Sequence, residues 1–370
     1  MRRITYLDSV RGLAAFAVVV YHFIGWRWGE TLEYKLGSMV FNGSDAVSLF
    51  FVLSGLVLSW KYFHPDTTLP ITADTYRPYV INRLVRLYVP FLTALAIYYL
   101  YNHRHDPLGQ IVPEFFTNTH HWLEEALLIR GKHDNYIPGW TLEVEMVASL
   151  FVPFLALLLR QSRQLFVALM LVVLVVGSGF VFWGVQHFCL GMLLAYFFPR
   201  IEAYDTHQTW WYRFRFVLYL AVVALFSLRH ITRIFPIGEN GNYLLGLLRL
   251  DLFHFTGLAS ALILAYVINS PRVQRVLNGR GFLFLGRISY SMYLVHWFFV
   301  IYVMDHWGKL TGLLGTTPAQ SFWILLAFTV VGTLLAATVF NVLVERPAIR
   351  WGRRLSDRLT PAAVPVKHAS

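Results

Sequence analysis

The sequence predicts an all-α, polytopic membrane helix bundle of about ten transmembrane helices with both termini in the cytoplasm. Three observations carry this expectation. Hydrophobic residues make up 57% of the 370-residue chain and charged residues only 14%, with a mean hydropathy of +0.53. That is more apolar surface than a water-soluble domain can bury. Apolar stretches of spanning length recur from end to end, and Lys and Arg gather in alternate connections between them. Membrane orientation thereby accounts for the net charge of +11, so the partner is the lipid bilayer and no nucleic acid is needed. A single cysteine, Cys189, excludes an intramolecular disulfide and a cysteine-built metal cluster.

The spans fall at about 10–28, 45–61, 84–101, 140–159, 165–181, 183–199, 214–230, 246–268, 285–304 and 321–344. The first carries Arg11 at its start and His22 well inside. An eleven-residue step turns an α-helix through about three full turns, so the two side chains share a face about 16 Å apart. An imidazole at that depth is costly unless protein or water satisfies it, which marks a functional position. A plainer reading stays open, with Arg11 a positive-inside anchor and His22 a hydrogen-bonded packing residue. No small-residue cleavage site follows before Glu30, so an uncleaved helix is expected rather than a signal peptide.

The second span holds Asp45 and, at Ser54-Gly55, either a close helix contact or a channel wall. Arg83 and Arg86, three apart and on one face, stand at the start of the third. The connection from Asn102 to Gly139 is too long for a bare loop and predicts a short interfacial helix over Trp122 to Ile129. It also carries His103, His105, His120, His121 and His133, without the paired helical spacing of a metal site, so no metal is expected. The fourth span opens at Pro138-Gly139-Trp140 and brings in Glu143 and Glu145, which cannot share a helical face. A tight turn near Phe182-Trp183-Gly184 is expected to divide the fifth span from the sixth. His187 and His254 read as packing or polar-network residues. On the ninth span Tyr290, Tyr293 and His296 form one polar stripe, which either lines an acceptor path or makes hydrogen bonds between helices. Residues 1–350 then form the transmembrane domain, and 351–370 a short cytoplasmic tail.

Cytoplasmic termini put 22 of the 31 Lys and Arg on the inner side and nine outside, with the same bias loop by loop. Arg11 then lies at the inner surface and His22 deeper, toward the outer half.

Several stretches, taken in order, carry one resemblance. They are L-D-S-V-R-G-L-A-A-F-A-V-V-V-Y-H (Leu7 to His22), F-F-V-L-S-G-L (Phe50 to Leu56), R-L-V-R-L-Y-V-P (Arg83 to Pro90), P-G-W-T-L-E-V-E (Pro138 to Glu145), G-R-I-S-Y-S-M-Y-L-V-H (Gly286 to His296) and V-E-R-P (Val344 to Pro347). Together they resemble the membrane-bound acyltransferase family 3, over essentially the whole chain. Ala148-Ser149 stand where an aromatic pair is usual, which implies a differently shaped pocket wall.

The resemblance implies an integral membrane O-acyltransferase of a bacterial inner membrane. Its acyl group, usually acetyl, would come from cytoplasmic acyl-CoA (acetyl-CoA as co-substrate, no resident cofactor). Its acceptor would be a hydroxyl of an extracytoplasmic glycan or other small molecule. The R-x10-H match implies that His22 is the catalytic base and that Arg11, on the same helical face, belongs to the catalytic set. Glu145 joins them, orienting an imidazole or an acceptor hydroxyl. Arg11, Arg83, Arg86 and Ser54 would bind the donor, and Trp140, Tyr290, Tyr293 and His296 would line the acceptor path. The residue chemistry agrees: acyl transfer needs a base for the hydroxyl proton, and guanidinium forks suit phosphates. Two other classes compete. A small-molecule transporter is allowed by the polar helix interiors, although no inverted repeat is visible. An assembly subunit leaves the buried Arg and His without a task. A homo-oligomer is compatible with all three.

Overall fold

In hydrocarbon each backbone polar group must be satisfied within the chain, and an α-helix does this for every interior residue. The computed structural model describes residues 4–28, 36–37, 39–63, 71–117, 122–128, 135–176, 180–206, 209–234 and 252–359, and every regular element among them is helical. The α-helices are α1 (Thr5–Trp28), α2 (Gly43–Phe63), α3 (Ala73–Asn102), α4 (Leu108–Thr117), α5 (Trp122–Ala126), α6 (Gly139–Gln161), α7 (Arg163–Val176) and α8 (Phe180–Ala203). They continue with α9 (Arg215–Phe226), α10 (Leu228–Ile234), α11 (Leu252–Asn269), α12 (Pro271–Leu277), α13 (Arg280–Asp305), α14 (Trp307–Leu314), α15 (Pro318–Phe340) and α16 (Arg346–Leu359).

Among the described residues seven helices are long and apolar enough to cross a membrane. They are α1, α2, α3, α6, α11, α13 and the run from α15 through α16, matching seven of the ten expected spans. Of the other three, the sixth lies wholly within α8 and the fifth and seventh differ in form. The fifth becomes α7, only 14 residues long. The turn expected near Phe182-Trp183-Gly184 is absent, because these residues lie inside α8; residues 177–179, between α7 and α8, lie outside the described residues. The seventh is interrupted at Ser227, between α9 and α10. Residues 246–251 of the eighth lie outside the described residues.

Other boundaries moved for physical reasons. Helix α3 starts eleven residues before the expected span, since residues 73–83 are too polar to score as lipid-facing; of these Pro78, Tyr79 and Arg83 are buried and Ala73 to Thr75 and Arg77 exposed. The interfacial segment is the single turn of α5, with Ile129 outside the described residues, and α4 precedes it. A π-turn at Asn341–Glu345 joins α15 to α16 without a break, so the boundary drawn at residue 350 falls inside α16. Residues 360–370 lie outside the described residues.

Lipid is as apolar as a leucine side chain, so close packing rather than water exclusion holds membrane helices together. Helix α1 is the centre of that packing. Its Ala15 and Val19 meet Ile288, Met292 and Val295 of α13. Its other side, Val10, Ala14 and Val18, packs with Leu49, Val52 and Leu53 of α2 and Leu194 of α8. The α1–α13 contact is the most extensive in the molecule, and glycine permits it. A methyl built on Gly12 would strike the backbone of Leu285 and Gly286, and one on Gly286 would strike Asp8 and Ser9. Gly55 of α2 and Gly191 of α8 meet in the same way, against the backbones of Phe188 and Val52. Of the two readings of Ser54-Gly55, Gly55 thus takes the packing one.

At the start of α2, Asp45 is fully buried and accepts from Asn42 Nδ2 at 2.9 Å and Arg229 Nη1 at 3.1 Å, tying α2 to α10. The outer faces of α9 and α15 expose Phe216, Val217, Trp323 and Leu335, a surface suited to lipid.

Candidate active site

Helices α1, α2, α3, α6 and α13 and the π-turn enclose a cavity of about 540 Å³. It runs from the start of α1 and from α16, where Ile4, Asp8 and Arg353 line it, to Phe50, Thr141 and Tyr293. Six arginines line it (Arg11, Arg83, Arg86, Arg287, Arg346 and Arg353) against three carboxylates (Asp8, Glu145 and Glu345), a formal balance of +3. Leu7, Val47, Phe51 and Leu142 supply apolar wall. A chamber of that kind suits a ligand with an anionic head and an apolar or neutral arm.

The arginines differ in their partners. Arg11 Nη1 lies 3.5 Å from Asp8 Oδ1, one helical turn earlier. Arg83 is buried and pairs with Glu145, Nη2 to Oε1, at 2.5 Å; its Nε is buried without a partner. Arg83 stands about 15 Å along α3 rather than at its end, and Glu145 about 9 Å along the opposing α6. Their pair therefore ties α3 to α6 within the wall of the cavity. Arg86 is exposed to the cavity and has no carboxylate partner among the described residues.

The π-turn builds the opposite wall. Such bulges inside helices recur at functional sites because the extra residue re-aims side chains. Here it brings both Asn341 and Glu345 to the cavity. Glu345 Oε2 accepts from Ser291 Oγ at 2.5 Å and from Asn341 Nδ2 at 2.8 Å, while Arg346 Nε donates to Asn341 Oδ1 at 2.9 Å. The V-E-R-P run holds Glu345, to which the sequence assigns no role; Asp8, Thr141, Ser291 and Asn341 carry no separate signal in it.

His22 and His296 are not among the residues that line this cavity. They meet beyond it: His22 Nδ1 lies 2.9 Å from His296 Nε2, with the two rings 11° from parallel. His296 is fully buried, and its Nδ1 lies 2.6 Å from the Tyr293 carbonyl oxygen. The Trp297 ring stands edge-on to His22, with centroids 5.4 Å apart. Tyr293 joins the two regions. It lines the cavity, its hydroxyl lies 2.8 Å from Thr141 Oγ1, and its ring centroid is 5.7 Å from that of His296.

Of the residues singled out in sequence, Arg11, Ser54, Arg83, Arg86, Glu145, Tyr290 and Tyr293 share the cavity. Tyr290 spends its hydroxyl proton on the Leu87 carbonyl at 2.7 Å. Trp140 packs edge-on against Phe51 and is not among the lining residues. Glu145 sits beside a guanidinium, and the neighbour of the His22 imidazole is His296. His187 donates to the Phe253 carbonyl at 3.0 Å, as a packing residue does.

In the connection between α3 and α6, ligand atoms of His103, Asp106 and Glu114 lie within 4.8 Å of one another, an arrangement able to hold a metal ion. His103 is also bonded to the Tyr99 carbonyl and paired with Glu114 at 3.4 Å. His120, His121 and His133 lie outside the described residues.

The family described as "Acyltransferase domain" matches residues 4–342, nearly the entire chain. No curated protein and no solved structure matches it.

Proposed function

The chain belongs to the acyltransferase-domain family, and on that premise we propose that it is a membrane-embedded O-acyltransferase working between the two faces of a bacterial inner membrane. Acyl-CoA, with acetyl as the acyl group, enters from the cytoplasm. A hydroxyl of an extracytoplasmic glycan or other small acceptor arrives from the opposite side. The observation that carries the reading is one helix joining two chemistries. Arg11 of α1 lies in a cavity of net positive charge, and His22, about 16 Å further along the same helix, forms an imidazole pair outside it.

Arginine is the natural grip for the donor's phosphates, and Arg86, with its fork open to the cavity, is the best placed. Arg11 and Arg83 add positive potential, and Ser54 lines the wall beside them. The thioester arm extends toward Tyr293. His22 takes the proton of the attacking hydroxyl while its oxygen bonds to the thioester carbonyl carbon. As the tetrahedral intermediate collapses, the C–S bond breaks and the thiolate leaves with a proton returned by the imidazolium. The products are the ester and free CoA thiol, so atoms and charge balance. Both termini in the cytoplasm follow from the 22-to-9 distribution of Lys and Arg.

The test compares wild type with His22→Ala in transfer of label from radiolabelled acetyl-CoA, using membrane vesicles of the source cell with its own copy deleted. The variant should remain inserted and bind acetyl-CoA, and transfer should drop by about 10²–10⁴-fold, as when a general base is lost. Near-normal transfer returns His22 to packing. Label carried into the vesicle lumen as intact acetyl-CoA would instead mark a transporter.

A further inference from the structure

We infer that His296 is a positioning residue that holds His22 in one tautomer, with Nδ1 protonated and Nε2 left bare to accept the hydroxyl proton. The inference rests on the reading of His22 as the base.

The chain of hydrogen bonds has only one consistent polarity. A carbonyl oxygen can accept but not donate, so the short contact of 2.6 Å between Tyr293 O and His296 Nδ1 requires the proton on that nitrogen. A neutral imidazole carries one N–H, so His296 Nε2 is then an acceptor. Its neighbour at 2.9 Å is His22 Nδ1, which must supply the proton. The remaining nitrogen, His22 Nε2, keeps its lone pair. A backbone atom thus sets the tautomer of the base two bonds away.

The geometry is suited to holding this state. Tyr293 and His296 are three apart on α13, so the ring folds back onto its own helix and its orientation is set by helical geometry. His296 is fully buried. Gly12 and Gly286 seat α13 directly on α1, which fixes the distance between the two rings. The same bond gains strength during the reaction. Once His22 is protonated on Nε2, its Nδ1–H becomes a charge-assisted donor to His296. A carboxylate commonly fills this orienting place behind a catalytic histidine. Here the place is taken by a neutral ring, so the bilayer interior is spared a permanent charge.

The sequence leaves His296 open between lining an acceptor path and bonding between helices, and its Nε2 stands 2.9 Å from the His22 ring, 274 residues earlier.

The experiment measures acetyl transfer in the same vesicles for His296→Leu and His296→Gln, with His22→Ala alongside. Leu removes the acceptor and leaves His22 free to take the wrong tautomer. Gln keeps an oxygen near the place of Nε2, able to accept from His22 Nδ1. The expected result is a Vmax lowered by about 10²-fold or more in the Leu variant, with KM for acetyl-CoA unchanged, and recovery of at least about tenfold with Gln. Equal losses in both variants, or a raised KM with Vmax intact, would mean that the ring only fills space, and the inference fails. If His22→Ala abolishes transfer while His296→Leu retains it, the base stands and the positioning role falls. If His22→Ala itself retains transfer, the underlying reading falls with it.

Discussion

Arg83 and Arg86 stand one turn apart on α3 and line one cavity, yet their environments assign them different work. Arg83 is buried against Glu145, and removing one partner of such a pair leaves an uncompensated charge, which costs about 3–5 kcal/mol. Arg83→Ala should therefore lower thermal stability in detergent, and Arg83→Ala with Glu145→Gln should recover much of the loss. Arg86→Ala should leave the melting temperature unchanged and weaken acetyl-CoA binding by about tenfold or more, the worth of one hydrogen bond to a charged group. A melting temperature that falls only in the Arg86 variant would reverse the two assignments. The sequence made the shared face of Arg11 and His22 legible, because helical geometry fixes it. It could not show what each side chain touches. Glu145 and His296 both meet partners from distant parts of the chain, 62 and 274 residues away.

Elements were legible where the sequence is unbrokenly apolar and obscure where it turns polar or the helix is interrupted. Seven expected spans correspond to helices of crossing length, since an apolar run long enough to span is a direct record of such a helix. The first part of α3 left no such record, because residues 73–83 include Asp74, Arg77, Asn82 and Arg83. Nor did the π-turn, since an extra residue in a helical turn has no compositional signature. Glycine supplies the sharpest test at this scale. Gly286→Val forces a branched side chain into the backbone at Asp8, and overpacking of this sort costs about 1–3 kcal/mol or more. Thermal melting should register the loss. Gly312→Ala on α14, where nothing lies within 4 Å, should be neutral or slightly stabilising. Equal melting temperatures for the two variants would show that α1 and α13 do not depend on the close approach.

For the whole molecule, the direction of the reaction depends on which way the bundle faces. Cysteines placed at Arg104 and Arg275 should react with a membrane-impermeant thiol reagent from opposite sides, the first from outside and the second from the cytoplasm. The native Cys189 is buried and should stay silent. Labelling of both from one side would overturn the orientation and exchange the donor and acceptor faces.

The positive cavity also bears on energy. In the proposed reaction the donor's phosphates stay against Arg11, Arg86 and their neighbours, so the anionic part of acyl-CoA would never cross the hydrocarbon. Moving each of its charges across would couple the reaction to the membrane potential at about 2.3 kcal/mol per 100 mV. In that proposed reaction an acyl group would pass outward and a proton would return, and their formal charges cancel. Such an exchange would be electroneutral, running at the same equilibrium whether the membrane is energised or collapsed and drawing only on the thioester bond.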